Sequence, residues 1–132
     1  MSTVIDSSYA LACLLPDEGR PATSQAVLSD VLLAPFIWPA ELANALRNGV
    51  RRNRFGAAQA RGLATGLAGL GTRVAAPWDD DPVRLLELAL SHDLTAYDAL
   101  YIDLCLAERS DLATRDDGLA KAAARVGIRI HS

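Results

Sequence analysis

The sequence predicts an α/β fold of three layers, in which helices cover both faces of a short-stranded, mostly parallel sheet. Short, continuously apolar runs recur along the chain, and each is followed by a segment with apolar residues at helical spacing. Strands that alternate with helices favour parallel pairing with both sheet faces covered. A length of 132 residues suits one core, so we expect a single domain over residues 1–132.

Prolines and apolar spacing set the expected boundaries of the elements. A strand over 3–5 leads into a helix that ends before Pro16, because proline cannot continue a helix. Pro39 stands where helices favour proline, at the start of a helical pattern that ends at Arg52. The other predicted elements are helices over 21–29, 56–70, 82–91, 95–108 and 117–126, and strands over 31–34, 73–76, 112–113 and 128–130.

Composition limits the classes of protein that fit. The N-terminus has no basic segment typical of a signal peptide, and no apolar run is long enough for a membrane span, so we expect a soluble, cytoplasmic protein without membrane contact. Cys13 and Cys105 lie in apolar helical patterns, which indicates buried thiols and not a disulfide framework. The net charge of −3 disfavours a nucleic-acid partner unless bound cations reverse the local sign.

Asp98 is the most informative residue of the predicted 95–108 helix. At 100° per residue it lies on the same side as Tyr101, Ile102 and Cys105, where the apolar residues point. A half-buried carboxylate costs several kcal/mol unless a donor, a cation or a metal compensates it. A local alternative is a capping box, with Thr95 as N-cap and Asp98 favoured by the helix dipole.

Other acids occupy comparable positions. Asp6 follows the first predicted strand, Asp116 and Asp117 follow the fourth, and Glu41 lies in the first turn of its helix. In a parallel sheet, strand ends and helix starts collect at one edge, where ligands bind. Each acid also has a simpler interpretation as a helix-start residue. The two interpretations differ in that a binding site requires the acids to converge.

Converging carboxylates favour a divalent cation, because their mutual repulsion would otherwise raise a pKa and strain the fold. Mg²⁺ and Mn²⁺ prefer oxygen ligands, with substrate phosphate completing the coordination shell. The matching chemistry is phosphodiester hydrolysis by metal-activated water, which needs no protein nucleophile. The two histidines, His92 and His131, are far apart in the sequence, which makes paired-histidine ribonuclease chemistry a poor match.

Four segments with an acid in each follow one another along the chain, at residues 4–8, 38–47, 94–101 and 112–116. In this order and with this spacing they resemble the acidic motifs of PIN-domain ribonucleases, and specifically VapC toxins of type II toxin-antitoxin pairs. The resemblance implies a PIN-like fold and a Mg²⁺- or Mn²⁺-dependent endoribonuclease. It also implies a homodimer that a cognate, DNA-binding antitoxin holds inactive.

Carried over by position, the resemblance makes an acidic quartet of Asp6, Glu41, Asp98 and Asp116. Asp6, Asp98 and Asp116 are then expected to contact the metal directly, and Glu41 to act on it or on a second metal through water. Asp117 competes with Asp116 for the fourth position, although it also suits the N-cap of the last helix. Ser8 and Thr114 match hydroxyl positions that would orient the carboxylates or a bound water.

An RNA substrate requires positive surface. Arg47, Arg51 and Arg54 fall at helical spacing after Glu41 and are candidates to follow phosphates, as is Arg115 beside Asp116. The alternative is that arginines near a helix end complement its dipole and face water. The three tyrosines are candidates for base stacking, but tyrosines in helices are more often core residues.

Two other functions fit parts of the sequence. A non-catalytic interaction module of the same fold would use the acids as caps and apolar helices as a contact face. A receiver-type phosphoryl-transfer domain would want an acidic cluster after the first strand and a later lysine. The first strand offers one acid, and the only lysine is Lys121, inside the last helix. The nuclease interpretation would be excluded if Asp6 and Asp98 lay on opposite faces of the fold.

Overall fold

The computed structural model describes residues 1–132 and contains five strands and seven helices. The strands are β1 (Ser2–Ile5), β2 (Val31–Ala34), β3 (Arg73–Val74), β4 (Asp111–Ala113) and β5 (Ile130–His131). The helices are α1 (Ser7–Leu14), α2 (Ser24–Leu28), α3 (Trp38–Arg51), α4 (Ala57–Ala68), α5 (Pro82–His92), α6 (Ala96–Glu108) and α7 (Asp117–Arg125). The predicted three-layer α/β fold is confirmed.

The five strands form one sheet in the order β3-β2-β1-β4-β5, and every neighbouring pair is parallel. The chain first moves outward from β1 through β2 to β3, and then crosses to β4 and β5 on the other side. Because parallel crossovers are right-handed, α1 to α4 cover one face and α5 to α7 cover the other. The direction of winding therefore reverses between β1 and β4, which is where such sheets open a ligand crevice.

The core lies on both sides of this central strand pair. Val4 and Ile5 of β1 and Leu112 of β4 are fully buried, as the continuously apolar strands predicted. Cys13 and Cys105 are buried free thiols, which confirms their expected packing role. Burial raises the pKa of Cys105 to about 12, so this thiol stays protonated and unreactive at neutral pH.

The C-terminal strand begins later than the sequence predicted. The last strand was expected over 128–130, but β5 begins at Ile130. Gly127 takes a left-handed φ of +84°, and the Ile128 N–H donates to the Ala123 carbonyl at the end of α7. The helix C-terminus thus uses the backbone of Ile128 before the strand can begin.

The third strand is also shorter than the expected 73–76. β3 ends at Val74, and one further backbone hydrogen bond joins the Ala75 N–H to the Ala34 carbonyl at 2.8 Å.

No helix of the chain combines the length and the apolar character that crossing a bilayer requires. The fold leaves the β1 and β4 ends, together with the first turns of α3 and α6, at one edge of the sheet.

Candidate metal centre at the carboxyl edge of the sheet

The paired ends of β1 and β4 bring two sequence-distant loops together. Ile5 pairs with Ala113 in register, and the Asp6 N–H donates to the Ala113 carbonyl at 3.0 Å. Asp6 and Thr114 therefore leave the sheet side by side, although they are 108 positions apart in the sequence. This adjacency is the foundation of the candidate site.

Asp6 is a buried carboxylate with only 5% of its surface exposed. One oxygen accepts hydrogen bonds from the Tyr9 N–H at 2.9 Å and the Ser8 hydroxyl at 2.7 Å, and the other accepts from Thr114. Burial raises the pKa of Asp6, these three donors lower it in part, and the charge of Asp116 raises it again. Asp6 caps helix α1 and forms no salt bridge with a basic side chain.

The hydroxyls of Ser8 and Thr114 are themselves held in place. The Arg115 N–H donates to Ser8 Oγ and the Asp116 N–H donates to Thr114 Oγ1, both at 3.0 Å. Since each hydroxyl accepts from the backbone, its own proton is directed at Asp6. The two residues tie the loop after β4 to the carboxylate after β1, as expected for groups that orient a metal ligand.

Asp116 is the N-cap of α7, and its carboxylate accepts the Leu119 N–H at 2.9 Å. The interpretation of Asp117 as that cap was wrong, because Asp117 is already the first helical residue; both aspartates are exposed. The cap position orients Asp116 at the edge of the sheet. The negative charge of Asp116 raises the pKa of Asp98 as well as that of Asp6, so Asp116 lies within electrostatic range of both.

Glu41 lies in the first turn of α3 and is paired with a residue of α6. Its carboxylate accepts a hydrogen bond from the hydroxyl of Tyr101, a side chain that is 1% exposed. Burial raises the pKa of Glu41, the Tyr101 hydrogen bond lowers it in part, and the charges of Asp98 and Asp6 raise it further. Tyr101 therefore positions Glu41, a role that the sequence analysis missed.

Asp98 lies in the first turn of α6, and half of the proposed capping box is present. Thr95 caps the helix by accepting the Asp98 N–H at 3.1 Å. Burial raises the pKa of the Asp98 carboxyl, the charge of Asp116 raises it further, and the Thr95 hydroxyl lowers it. The cap explains the start of the helix, but the Asp98 carboxylate forms no salt bridge with a basic side chain.

Asp6, Glu41, Asp98 and Asp116, named here the acid cluster, thus occupy one edge of the sheet. The pKa values of Asp6, Glu41 and Asp98 are each raised by burial and then by at least one other member, and the remaining groups that act on them are hydroxyls and a backbone N–H. No three histidine, cysteine, aspartate or glutamate side chains are gathered closely enough to form a finished metal-binding cluster. The donor chemistry nevertheless fits Mg²⁺ or Mn²⁺, since hard cations prefer carboxylate oxygens and would relieve the repulsion.

The arginines proposed for RNA differ in their surroundings. Arg54 is engaged within the chain, with Nε 2.7 Å from Asp17 and Nη2 3.1 Å from Glu18. Arg47 and Arg51 are exposed on α3. Arg54 is therefore held by acidic side chains, unlike the other two arginines of the predicted group, Arg47 and Arg51.

Arg52, which the sequence analysis did not single out, lies next to the exposed Arg51 at the end of α3. Arg51, Arg52 and Asn48 line a depression of 290 Å³ near the end of α3. At 100° per residue, Asn48 and Arg52 lie within about 20° of Glu41 around the helix axis. The helical spacing from Glu41 would have identified Arg52. Arg115, the fourth proposed arginine, is exposed and donates to the Gly19 carbonyl at 3.3 Å.

Comparisons with known proteins agree with this architecture. PAE2754 from Pyrobaculum aerophilum is similar in structure, with a TM-score of 0.69, 24% identity, and coverage of 98% of this chain and 92% of that one. FitAcB from Neisseria gonorrhoeae is similar with a TM-score of 0.61, 18% identity, and coverage of 98% and 96%. Among curated proteins no sequence matches significantly. The model of the PIN domain matches residues 3–125. The chain therefore belongs to the PIN domain family, whose members are generally metal-dependent nucleases.

Proposed function

We propose that this protein is a Mg²⁺- or Mn²⁺-dependent endoribonuclease of the VapC type, the toxin of a toxin-antitoxin pair. The observation that carries the proposal is the acid cluster, four carboxylates at one edge of the sheet of which none takes part in a salt bridge. A PIN domain is generally a metal-dependent nuclease, and the four motifs of the VapC resemblance contain these same four acids. The assignment to the PIN domain family excludes the receiver-type alternative.

In this proposal Asp6, Asp98 and Asp116 hold the principal cation, and Glu41 acts on it, or on a second one, through water. When bound, Mg²⁺ or Mn²⁺ lowers the pKa of a water molecule and neutralises charge on the phosphate. Ser8 and Thr114 keep the Asp6 oxygens in one orientation, and Tyr101 does the same for Glu41. These hydrogen bonds reduce the reorganisation needed when substrate binds.

The substrate path that we propose continues along α3 from Glu41. Asn48 and Arg52 lie on the side of the helix that carries Glu41, and Arg51 lines the same depression about 80° away around the axis. Each arginine that contacts a phosphate releases counterions, so RNA affinity should fall steeply with salt. We propose Arg115 as an additional contact, and also Arg47, although it lies about 120° from Glu41 around the helix axis. Arg54 would first have to leave Asp17 and Glu18.

We also propose two protein partners, a second copy of the chain and a DNA-binding antitoxin. The protein would act in the cytoplasm, where its RNA substrate is found. Two unpartnered apolar surfaces support the two partners. Helix α5 exposes Val83, Leu86 and Leu90 at helical spacing. A groove of 290 Å³ between α3 and α4 contains two buried polar atoms without hydrogen-bond partners, Trp38 Nε1 and Thr72 Oγ1. Light scattering tests whether the chain alone is a dimer.

The decisive experiment compares RNA hydrolysis by the wild type, Asp98→Asn and Asp103→Asn. Asp103 lies on the same helix but is bonded to Arg84 and Trp78, so it is a matched control outside the acid cluster. We expect cleavage of single-stranded RNA with Mg²⁺ or Mn²⁺, loss of cleavage with a chelator, and a loss of about 10²- to 10³-fold in Asp98→Asn. Absence of cleavage in every metal condition, with all variants folded, would favour the non-catalytic interaction module.

A further inference from the structure

An open cleft of 520 Å³ lies directly beside the acid cluster. Glu41 and Asp98 contribute to its wall, and the other lining residues are Ile37, Ala40, Asn44, Thr95 and Tyr97. Its size is within the roughly 300–1,000 Å³ range of small-molecule sites. The cleft therefore adjoins the place where the proposed cation and phosphate would sit, and it has a chemistry of its own.

Tyr97 distinguishes this cleft from the rest of the molecule. Tyr9 and Tyr101 are core residues with 0% and 1% exposure, and their hydroxyls bond to Thr23 and Glu41. Tyr97 is 65% exposed in the first turn of α6. The expectation that tyrosines in helices serve the core therefore fails for Tyr97. An aromatic ring in water beside a cleft is available for stacking.

We infer that this cleft holds one base of single-stranded RNA, from a nucleotide next to the phosphodiester on which the acid cluster acts. The Tyr97 ring stacks on the base, and Ile37 packs against it from the apolar part of the lining. The exposed amide of Asn44 supplies both a donor and an acceptor for the base edge. The inference rests on the proposed function, to which it adds a specificity-determining contact.

The charges of the cleft determine which part of a nucleotide it accepts. Glu41 and Asp98 repel a phosphate unless a cation stands between them, so the phosphate is directed to the metal side. The remaining lining is neutral and largely apolar, which suits the uncharged face of a base. A nucleotide is thereby oriented with its phosphate at the acid cluster and its base on Tyr97.

The test compares nucleoside monophosphates with ribose 5-phosphate, which has the sugar and the phosphate but no base. Each is titrated in Mg²⁺ into wild type, Tyr97→Ala, Tyr97→Phe and Leu106→Ala, with binding followed by NMR. Leu106 is a matched control, because it is half exposed on the same helix but does not line the cleft. Tyr97→Phe keeps the stacking ring.

We expect wild type to bind at least one nucleoside monophosphate about 5- to 150-fold more tightly than ribose 5-phosphate, the range of one base–aromatic stack. Tyr97→Ala should remove that difference, while Tyr97→Phe and Leu106→Ala retain it. Equal binding of the two probes by wild type, or an unchanged difference in Tyr97→Ala, overturns the base site and leaves the proposed nuclease intact. Binding of neither probe also overturns it, and the RNA cleavage assay then decides the nuclease separately.

RNA cleavage gives a second readout of the same contact. With randomised single-stranded RNA, Tyr97→Ala should lose a base preference at one position beside the cut and show a raised KM. Leu106→Ala should retain both the preference and the KM. A Tyr97→Ala variant that cleaves with unchanged preference and KM would contradict the assignment.

Discussion

Two groups of acids in this molecule have carboxyl pKa values that are shifted in opposite directions. The acid cluster lies at the carboxyl edge of the sheet, and the pKa values of Asp6, Glu41 and Asp98 are raised, first by burial and then by neighbouring carboxylates. The second group, the arginine-paired cluster, consists of Asp79, Arg84 and Asp103. Here the Asp81 N–H and the Arg84 guanidinium lower the pKa of Asp79.

The arginine-paired cluster is internally complete. Arg84 donates to both aspartates, with Nη2 2.8 Å from Asp103, and the Trp78 indole N–H donates to Asp103 at 2.8 Å. Its charges and hydrogen bonds explain its position without any ligand. The acid cluster has comparable hydrogen-bond donors but no salt bridge to a basic side chain, so its carboxylates repel one another in a way that a bound cation can relieve. The lack of a basic partner, more than the number of acids, distinguishes the candidate site.

The largest effect that should separate the two clusters is stabilisation by metal. We expect Mg²⁺ or Mn²⁺ at a hundredfold excess over Kd to add about 2.7 kcal/mol to the wild-type free energy of unfolding. For a chain of this size that corresponds to a rise in Tm of about 10 °C. Thermal unfolding with and without metal measures it for wild type, Asp98→Asn and Asp103→Asn.

Asp103→Asn should respond to metal as the wild type does, and Asp98→Asn should respond much less. The reason is that Asp103 already has Arg84 as its counterion, whereas Asp98 has none. Equal metal responses in all three proteins would show that the acid cluster is not where the cation binds. In that case Asp6 and Asp116 would be helix caps alone.

An intermediate effect is expected from the buried hydroxyl that supports Asp6. Thr114 is fully buried, donates to Asp6 and accepts the Asp116 N–H. Thr114→Val keeps the shape but removes the charge-assisted hydrogen bond to Asp6 and the acceptor of the Asp116 N–H; the first of these losses alone should cost about 1.5–3 kcal/mol of the free energy of unfolding. Urea denaturation at neutral pH measures the loss.

Thr65→Val is a control for this substitution, because the Thr65 hydroxyl bonds only to the Arg61 carbonyl on the exposed part of α4. It should change stability by no more than about 0.5 kcal/mol. If Thr114→Val were equally mild, the hydroxyl would not be stabilising the Asp6 charge. Metal affinity of Thr114→Val should also fall, by roughly 10- to 100-fold, if Asp6 is a ligand that Thr114 orients.

The sequence was sufficient for the features that are local. Apolar strands, helix starts and the acids at those starts follow from neighbouring residues, and the parallel α/β fold follows from their alternation. The Glu41–Tyr101 bond joins residues 60 positions apart, and the Arg54–Asp17 pair joins residues 37 positions apart. Such contacts depend on strand order, which local patterns do not encode. Asp116 and Asp117 were ambiguous because both are good cap residues, and the start of α7 decides between them.

The smallest expected effect is on the pH dependence of the free energy of unfolding without metal, which should have opposite signs for the two clusters. The folded pKa of Asp98 is raised, so its contribution to stability is full below the unfolded pKa and is lost as pH rises through the folded value. Asp98→Asn removes that loss and should be about 0.5 kcal/mol more stable than wild type at neutral pH, with the advantage disappearing below pH ~4.

Asp79 should behave oppositely, because its folded pKa is lowered and its stabilisation, present above the unfolded pKa, is lost as pH falls through the folded value. Asp79→Asn should therefore be less stable than wild type at neutral pH and approach wild type in acid. Urea denaturation from pH 3 to pH 7 in a chelating buffer tests both variants. A loss of stability at neutral pH in Asp98→Asn as well would mean that its charge is already compensated within the chain, and the contrast between the two clusters would no longer point to a cation.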